Sequence, residues 1–261
     1  MTLHNQPFLW KGSRDYEQAF LLLHGLGGGV YELQYLGEVI HHLGYTVQGI
    51  NFPGHDTPTA KMPPSHWIEW YDAILRTYGQ LRQDYRLISV VGFSTGCPLA
   101  LRLALAESTH CLILLAPFLA IRHRWYYLWR PEQYLQTFGT LIGEVPRLTL
   151  PIRDPQMRLA AQKVAFFQTF NLGAVSSALQ LIAEVKPKLA DIDCPTLIVQ
   201  SRQDSVVDPA GAEEIYRKIQ SPVKKLVWLE KSDHIISLDW ERELVFEEVR
   251  NFIQSSELSA S

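Results

Sequence analysis

The feature that most limits how this chain can fold is a series of short apolar runs without polar alternation. They are Phe20-Leu21-Leu22-Leu23, Leu87 to Val91 with Ser89 as its one polar member, Cys111 to Leu115, and Leu197-Ile198-Val199 inside Pro195–Gln200. A strand with one wet face alternates apolar and polar residues. A run of strand length that does not alternate is buried on both faces, as in a parallel sheet covered by helices. Tyr45–Ile50 and Lys225–Leu229 read as two further strands. Helical patterns separate these runs. One spans about Tyr31 to His42, with Leu33, Leu36, Val39 and Ile40 on one face. Another, capped by Ser65, reaches about Gln83, and a third starts at Pro98. Asp208-Pro209 opens a fourth to about Ile219, and the last runs from about Trp240 to Phe252. Strands and helices in alternation place the chain in the α/β class.

The alternation stops from Pro117 to about Pro187. Helices are expected over Arg130–Thr140, Gln156–Phe170 and Ala174–Val185, and aromatic residues are dense there. No low-complexity linker flanks the stretch. The expectation is one domain over residues 1–261, with an inserted lid over about 118–187 lying across the sheet. Trp125 and Phe167 are the lid's candidate substrate-lining residues.

Length and charge narrow the function classes. The 261 residues, 47% of them hydrophobic, are enough for one large core. A formal charge of -3 gives no footprint for nucleic acid. Cys97, Cys111 and Cys194 form no C-x-x-C pair, which argues against a disulfide framework or a zinc site. Met1 to Asp15 lacks an apolar signal core, and Cys111–Ile121 is too short to span a bilayer. The expected setting is therefore cytoplasmic, without stable membrane insertion. Oligomeric state is not written in these features.

The run from Leu87 ends at Gly92-Phe93-Ser94-Thr95-Gly96, and a helical pattern follows at once. Gly-x-Ser-x-Gly alone also suits a glycine-rich turn with a solvated serine. In a strand–turn–helix setting it puts a serine hydroxyl at the apex of a sharp turn, beside the positive end of a helix dipole. A serine is a poor nucleophile until a base takes its proton. Of the nine histidines, His234 follows a late strand, where a doubly wound sheet gathers its catalytic groups. His55 is a weaker candidate, and His24, directly before Gly25, reads as structural. The base needs a carboxylate to hold its tautomer. Asp204 and Asp208 both follow the Leu197–Gln200 run. Asp204 lies nearer the strand end and is favoured, since capping a helix accounts for Asp208. The backbone N–H groups of Leu26 and Thr95 are the candidate donors to an oxyanion. His24 to Gly29 has no Gly-Lys-Ser/Thr and no G-x-G-x-x-G, so nucleotide binding is not indicated.

Together these residues resemble the α/β-hydrolase family: His24-Gly25, the elbow around Ser94, Asp204 after a late strand, and His234 after the last, in the family's order Ser, Asp, His. Asp204 to Pro209, Ser221 to Lys224, and Ser232 to Asp239 are similar to small bacterial carboxylesterases related to monoacylglycerol lipases. The resemblance implies an eight-stranded, mostly parallel sheet flanked by helices, an inserted helical lid, hydrolysis of carboxylic esters, and neither cofactor nor metal. The aromatic, apolar lid suggests medium acyl, aryl or monoacylglycerol esters as substrates. Two positions depart from the pattern. Cys97 and Asp233 stand where many members have glycine. A thioesterase or carbon–carbon bond hydrolase would use the same triad, and a catalytically silent binding protein on this fold is the rival of another class.

Overall fold

In the computed structural model, which describes residues 2–13, 17–122 and 143–258, all six apolar runs are strands of one sheet. The sheet's strands are Phe8–Trp10 (β1), Gln18–Leu23 (β2), Thr46–Ile50 (β3), Leu87–Phe93 (β4), Leu112–Leu115 (β5), Thr196–Ser201 (β8) and Lys224–Leu229 (β9), in the order β1-β3-β2-β4-β5-β8-β9. Among the described residues of this sheet, only the β1–β3 pairing is antiparallel. Side chains along each central strand alternate between two buried clusters. Leu21, Val90, Leu114 and Ile198 face one, and Leu22, Val91, Leu115 and Val199 face the other. Helices Trp67–Asp84 (α2), Gly96–Ala104 (α3), Leu172–Val185 (α5) and Ala210–Lys218 (α6) close the first cluster. Gln34–His42 (α1) and Arg242–Leu258 (α7) close the second. Burial on both faces is the reason the runs read as continuous.

The eight strands implied by the resemblance are seven among the described residues. Six are the runs read from the sequence, and the seventh is the edge strand β1. The chain ahead of it is held by side chains rather than by a ladder. Asn51 Nδ2 donates to the Asn5 carbonyl at 3.1 Å, and the His4 N–H donates to Gln34 Oε1 at 2.9 Å, so Thr2–Pro7 adds no strand.

Helix α2 begins one residue later than Ser65 suggests. Its cap is His66, whose ring accepts from the Ile68 N–H at 3.3 Å while Glu69 accepts from the His66 N–H at 2.8 Å. Beyond β5, the expected helix Gln156–Phe170 is split. Pro155–Gln162 (α4) starts at Asp154, whose carboxylate accepts from the Gln156 and Met157 N–H groups. Thr169–Asn171 is instead a strand (β7), paired antiparallel with Glu144–Pro146 (β6). The expected helix Arg130–Thr140 and the candidate Trp125 lie outside the described residues. No helix among the described residues is long and apolar enough to cross a membrane.

Candidate active site

Parallel strands deliver Leu26, Ser94, Asp204 and His234 to one edge of the sheet, each just past the carboxyl end of its strand. Ser94 sits at the turn from β4 into α3 with φ +52°, a left-handed conformation that costs a non-glycine residue energy and is held by its surroundings. Its N–H donates to the Leu115 carbonyl at 2.9 Å, and its carbonyl accepts from the Cys97 N–H at 3.0 Å. The flanking glycines are required by close approach. A Cβ on Gly96 would lie 2.0 Å from the Leu23 carbonyl oxygen, and one on Gly92 would lie 2.5 Å from the Gly96 carbonyl oxygen. Cys97 fills the space behind the elbow, its thiol donating to the Gly92 carbonyl at 3.1 Å.

Three side chains form one chain of hydrogen bonds. Ser94 Oγ lies 2.9 Å from His234 Nε2, and His234 Nδ1 lies 2.8 Å from Asp204 Oδ2. Asp204 is fully buried. Its Oδ1 accepts from the Val206 and Val207 N–H groups at 2.8 and 2.9 Å, and its Oδ2 also accepts from Gln200 Nε2 at 3.1 Å. Burial alone would raise this carboxyl's pKa. The neighbouring His234 and the two backbone donors outweigh burial and hold it below the usual value. A carboxylate so placed requires a donor on Nδ1, leaving Nε2 free to accept from the serine hydroxyl. Asp208 is not in this chain. Its Oδ1 accepts from the Ala210 N–H at 3.1 Å, at the start of α6.

The loop carrying His234 is held by two carboxylates that sequence reasoning missed. Glu241 accepts from the N–H groups of Glu230, Lys231 and Ser232, and Asp239 Oδ2 accepts from that of Asp233 at 2.7 Å. Asp239 also accepts from the Arg153 and Asp154 N–H groups, which ties this loop to the start of α4. Asp233 ties it to the acid loop, accepting from the Ser205 N–H at 2.8 Å.

The weaker histidine candidates have other partners. His55 Nε2 accepts from the Gly27 N–H at 3.0 Å, and His24 Nε2 accepts from the Phe52 N–H at 3.1 Å. Both rings are completely buried. Desolvation pushes His55 down to about 4 and His24 below its usual value, so both are neutral at physiological pH. Phe167 is buried, with its ring edge-to-face against His55 at 5.9 Å.

The sequence profile of the Hydrolase_4 family, described as serine aminopeptidase, S33, matches residues 14–241. The chain belongs to this family. A thermostable monoacylglycerol lipase of Bacillus sp. (strain H-257) is 31% identical over 232 residues, covering 89% of this chain and 88% of that one. A carboxylesterase of Bacillus subtilis (strain 168) is 25% identical over 250 residues, covering 95% and 96%. Among solved structures, one from work on the metagenome-derived lipolytic enzymes LipS and LipT superposes with a TM-score of 0.84 at 26% identity, covering 97% and 99%. A Paleococcus ferrophilus monoacylglycerol lipase, at 16% identity and a TM-score of 0.80 over 96% and 99%, shares the fold. This member of the Hydrolase_4 family therefore has the α/β-hydrolase fold and is a serine hydrolase of the carboxylesterase and monoacylglycerol lipase type.

Proposed function

We propose that the chain hydrolyses carboxylic esters through Ser94, His234 and Asp204. The observation that carries this is the continuous path Asp204 Oδ2–His234–Ser94 Oγ, with links of 2.8 and 2.9 Å, at the apex of a strained elbow. In this reading His234 Nε2 takes the serine proton as Oγ bonds to the ester carbonyl carbon. Asp204 holds the ring and stabilises the imidazolium. The carbonyl oxygen gains the negative charge and is met by the N–H groups of Leu26 and Thr95, which have no acceptor among the described residues. His234 returns the proton to the leaving alcohol as the carbon–oxygen bond breaks. A water molecule, deprotonated by the same ring, then releases the acid and restores Ser94.

The relatives' names, carboxylesterase and monoacylglycerol lipase, support the substrate class. Esters of medium acyl chains, aryl esters and monoacylglycerols are proposed, with the insertion over 118–187 as a lid and Phe167 against the acyl group. A fluorophosphonate probe should label the wild type and fail on Ser94→Ala. Aryl-ester turnover in that variant should fall to the ~10³- to 10⁴-fold enhancement over water that binding and the oxyanion site supply. Substantial turnover by Ser94→Ala overturns the mechanism, and an unlabelled, inactive wild type favours the silent binding protein.

A further inference from the structure

The segment Gly25-Leu26-Gly27 is gripped on both sides by charged groups that the reaction itself does not use. Glu32, 2% exposed, accepts from the Gly25 N–H through Oε2 at 2.9 Å. Arg147, the residue after β6, donates from Nη1 to the Gly27 carbonyl at 2.7 Å and lies over the Phe170 ring, 5.1 Å from its centroid. The Gly25 carbonyl accepts from His24 Nδ1 at 2.8 Å and from the Gly28 N–H at 3.1 Å, and the Gly27 N–H is taken by His55. The Gly25 carbonyl and the Leu26 N–H belong to one trans peptide plane and point in opposite directions. Fixing the plane through its neighbours therefore aims the Leu26 N–H. Among the described residues it is the one N–H of the three without an acceptor.

The glycines behind this segment are shaped by the same contacts. A Cβ on Gly28 would lie 2.2 Å from the Glu32 carboxylate, and one on Gly27, whose φ is +66°, would lie 2.8 Å from the Phe170 ring. The glycine-rich run thus makes room for a buried carboxylate on one side and for the β6–β7 pair on the other.

We propose that Glu32 and Arg147 are positioning residues for the oxyanion site, clamping Gly25 and Gly27 so that the Leu26 N–H faces Ser94. The proposal rests on the esterase reading above. Arg147 comes from the insertion, so the insertion's seating sets the geometry of the loop that receives charge. Glu32 brings a pH signature. Burial is the largest influence on its carboxyl and raises it to about 7, against the lowering effects of Arg147, the Gly25 and Gly29 N–H groups, and His234. Tyr31, fully buried beside it, is the other titratable neighbour. The ionised form makes the stronger, charge-assisted bond to Gly25, so protonation below about pH 7 loosens the clamp.

The test compares Glu32→Gln, Arg147→Met and Arg147→Lys with wild type and Ser94→Ala, using p-nitrophenyl butyrate as the substrate across pH 5 to 9. Complete loss of an oxyanion donor costs about 10²- to 10³-fold in kcat, so a misaligned donor should cost about 10- to 100-fold. The expectation is that loss in kcat for Arg147→Met and Glu32→Gln with KM nearly unchanged, and recovery of most of it in Arg147→Lys. The acid limb of kcat should lose one ionisation in Glu32→Gln. If Ser94→Ala is inactive while Arg147→Met keeps wild-type kcat, the clamp is wrong and the triad reading stands. If Ser94→Ala turns over substrate, the triad reading itself fails. Should Glu32→Gln not fold, the partly buried Arg147 decides the matter alone.

Discussion

Replacing Asp204 by asparagine keeps the shape of the side chain and changes which atoms donate. In the wild type Oδ1 accepts two backbone N–H groups, from Val206 and Val207, and Oδ2 accepts from His234 and Gln200. The amide has two orientations. With its oxygen toward His234, its NH₂ faces two backbone donors, leaving two buried N–H groups unpaired at about 1–3 kcal/mol each. With its oxygen toward Val206 and Val207, only the Gln200 bond is lost, at about 1–3 kcal/mol. The second orientation wins. Its NH₂ then points at His234 Nδ1, which must give up its proton to accept that bond. The ring proton moves to Nε2, and Nε2 meets Ser94 as a donor instead of a base.

Asp204→Asn should therefore fold, with a melting temperature a few degrees lower, and lose turnover on the order of 10⁴-fold. The control is Asp208, whose side chain accepts from the Ala210 N–H. Asp208→Asn should be near normal, because asparagine serves at a helix start about as well as aspartate. Asp208→Ala should lose about 1 kcal/mol and keep its turnover. The assay is aryl-ester turnover and calorimetric melting for the three variants side by side. If Asp208→Asn is inactive and Asp204→Asn retains turnover, both the acid's assignment and the orientation argument are wrong.

Phe167→Ala should change the preference between short and long acyl chains more than it changes stability, measured over a chain-length series of aryl and glyceryl esters. Equal losses across the series would give Phe167 a packing role only. Glu32 should also make stability depend on pH. Its carboxyl is raised in the folded state from 4.5 to about 7, so folding binds the proton more tightly than the unfolded chain does, and this contribution is full below pH 4.5 and lost as pH rises to about 7. The shift corresponds to about 3 kcal/mol, and Glu32→Gln should flatten the melting-temperature profile between pH 5 and 8 relative to wild type. Parallel profiles for the two proteins would refute it.

The sheet was legible because its strands are covered on both faces, so each strand is a local run that needs no partner to be recognised. Phe8–Trp10 escaped notice because it is an edge strand of three residues. Its place depends on a remote contact, with the Phe8 ring against Gly49, where a Cβ would come within 2.7 Å. The helix expected through Phe170 failed for a related reason. Val164 to Phe167 continues an apolar pattern, but the Gln168 N–H donates to the Ala60 carbonyl and the Gln168 carbonyl accepts from the Arg147 N–H, so distant partners draw the chain into an extended form. Local propensity gave way there to tertiary pairing.

The same division separates the three side chains proposed to react from those that hold them. Ser94, Asp204 and His234 could be read because each follows its own strand, and strand ends are local features of the chain. Arg147 reaches Gly27 across 120 residues, and Asp239 reaches Asp154 across 85. No spacing announces such contacts. Their one trace in the sequence is indirect. Gly27 and Gly28 carry no side chains because Phe170 and the Glu32 carboxylate occupy that space. A glycine run that matches no nucleotide pattern is thus the imprint of what packs against it. Restoring a Cβ at Gly28 would press on the Glu32 carboxylate and displace the same peptide that Glu32 holds, so the loop's composition and its acceptor belong to one device.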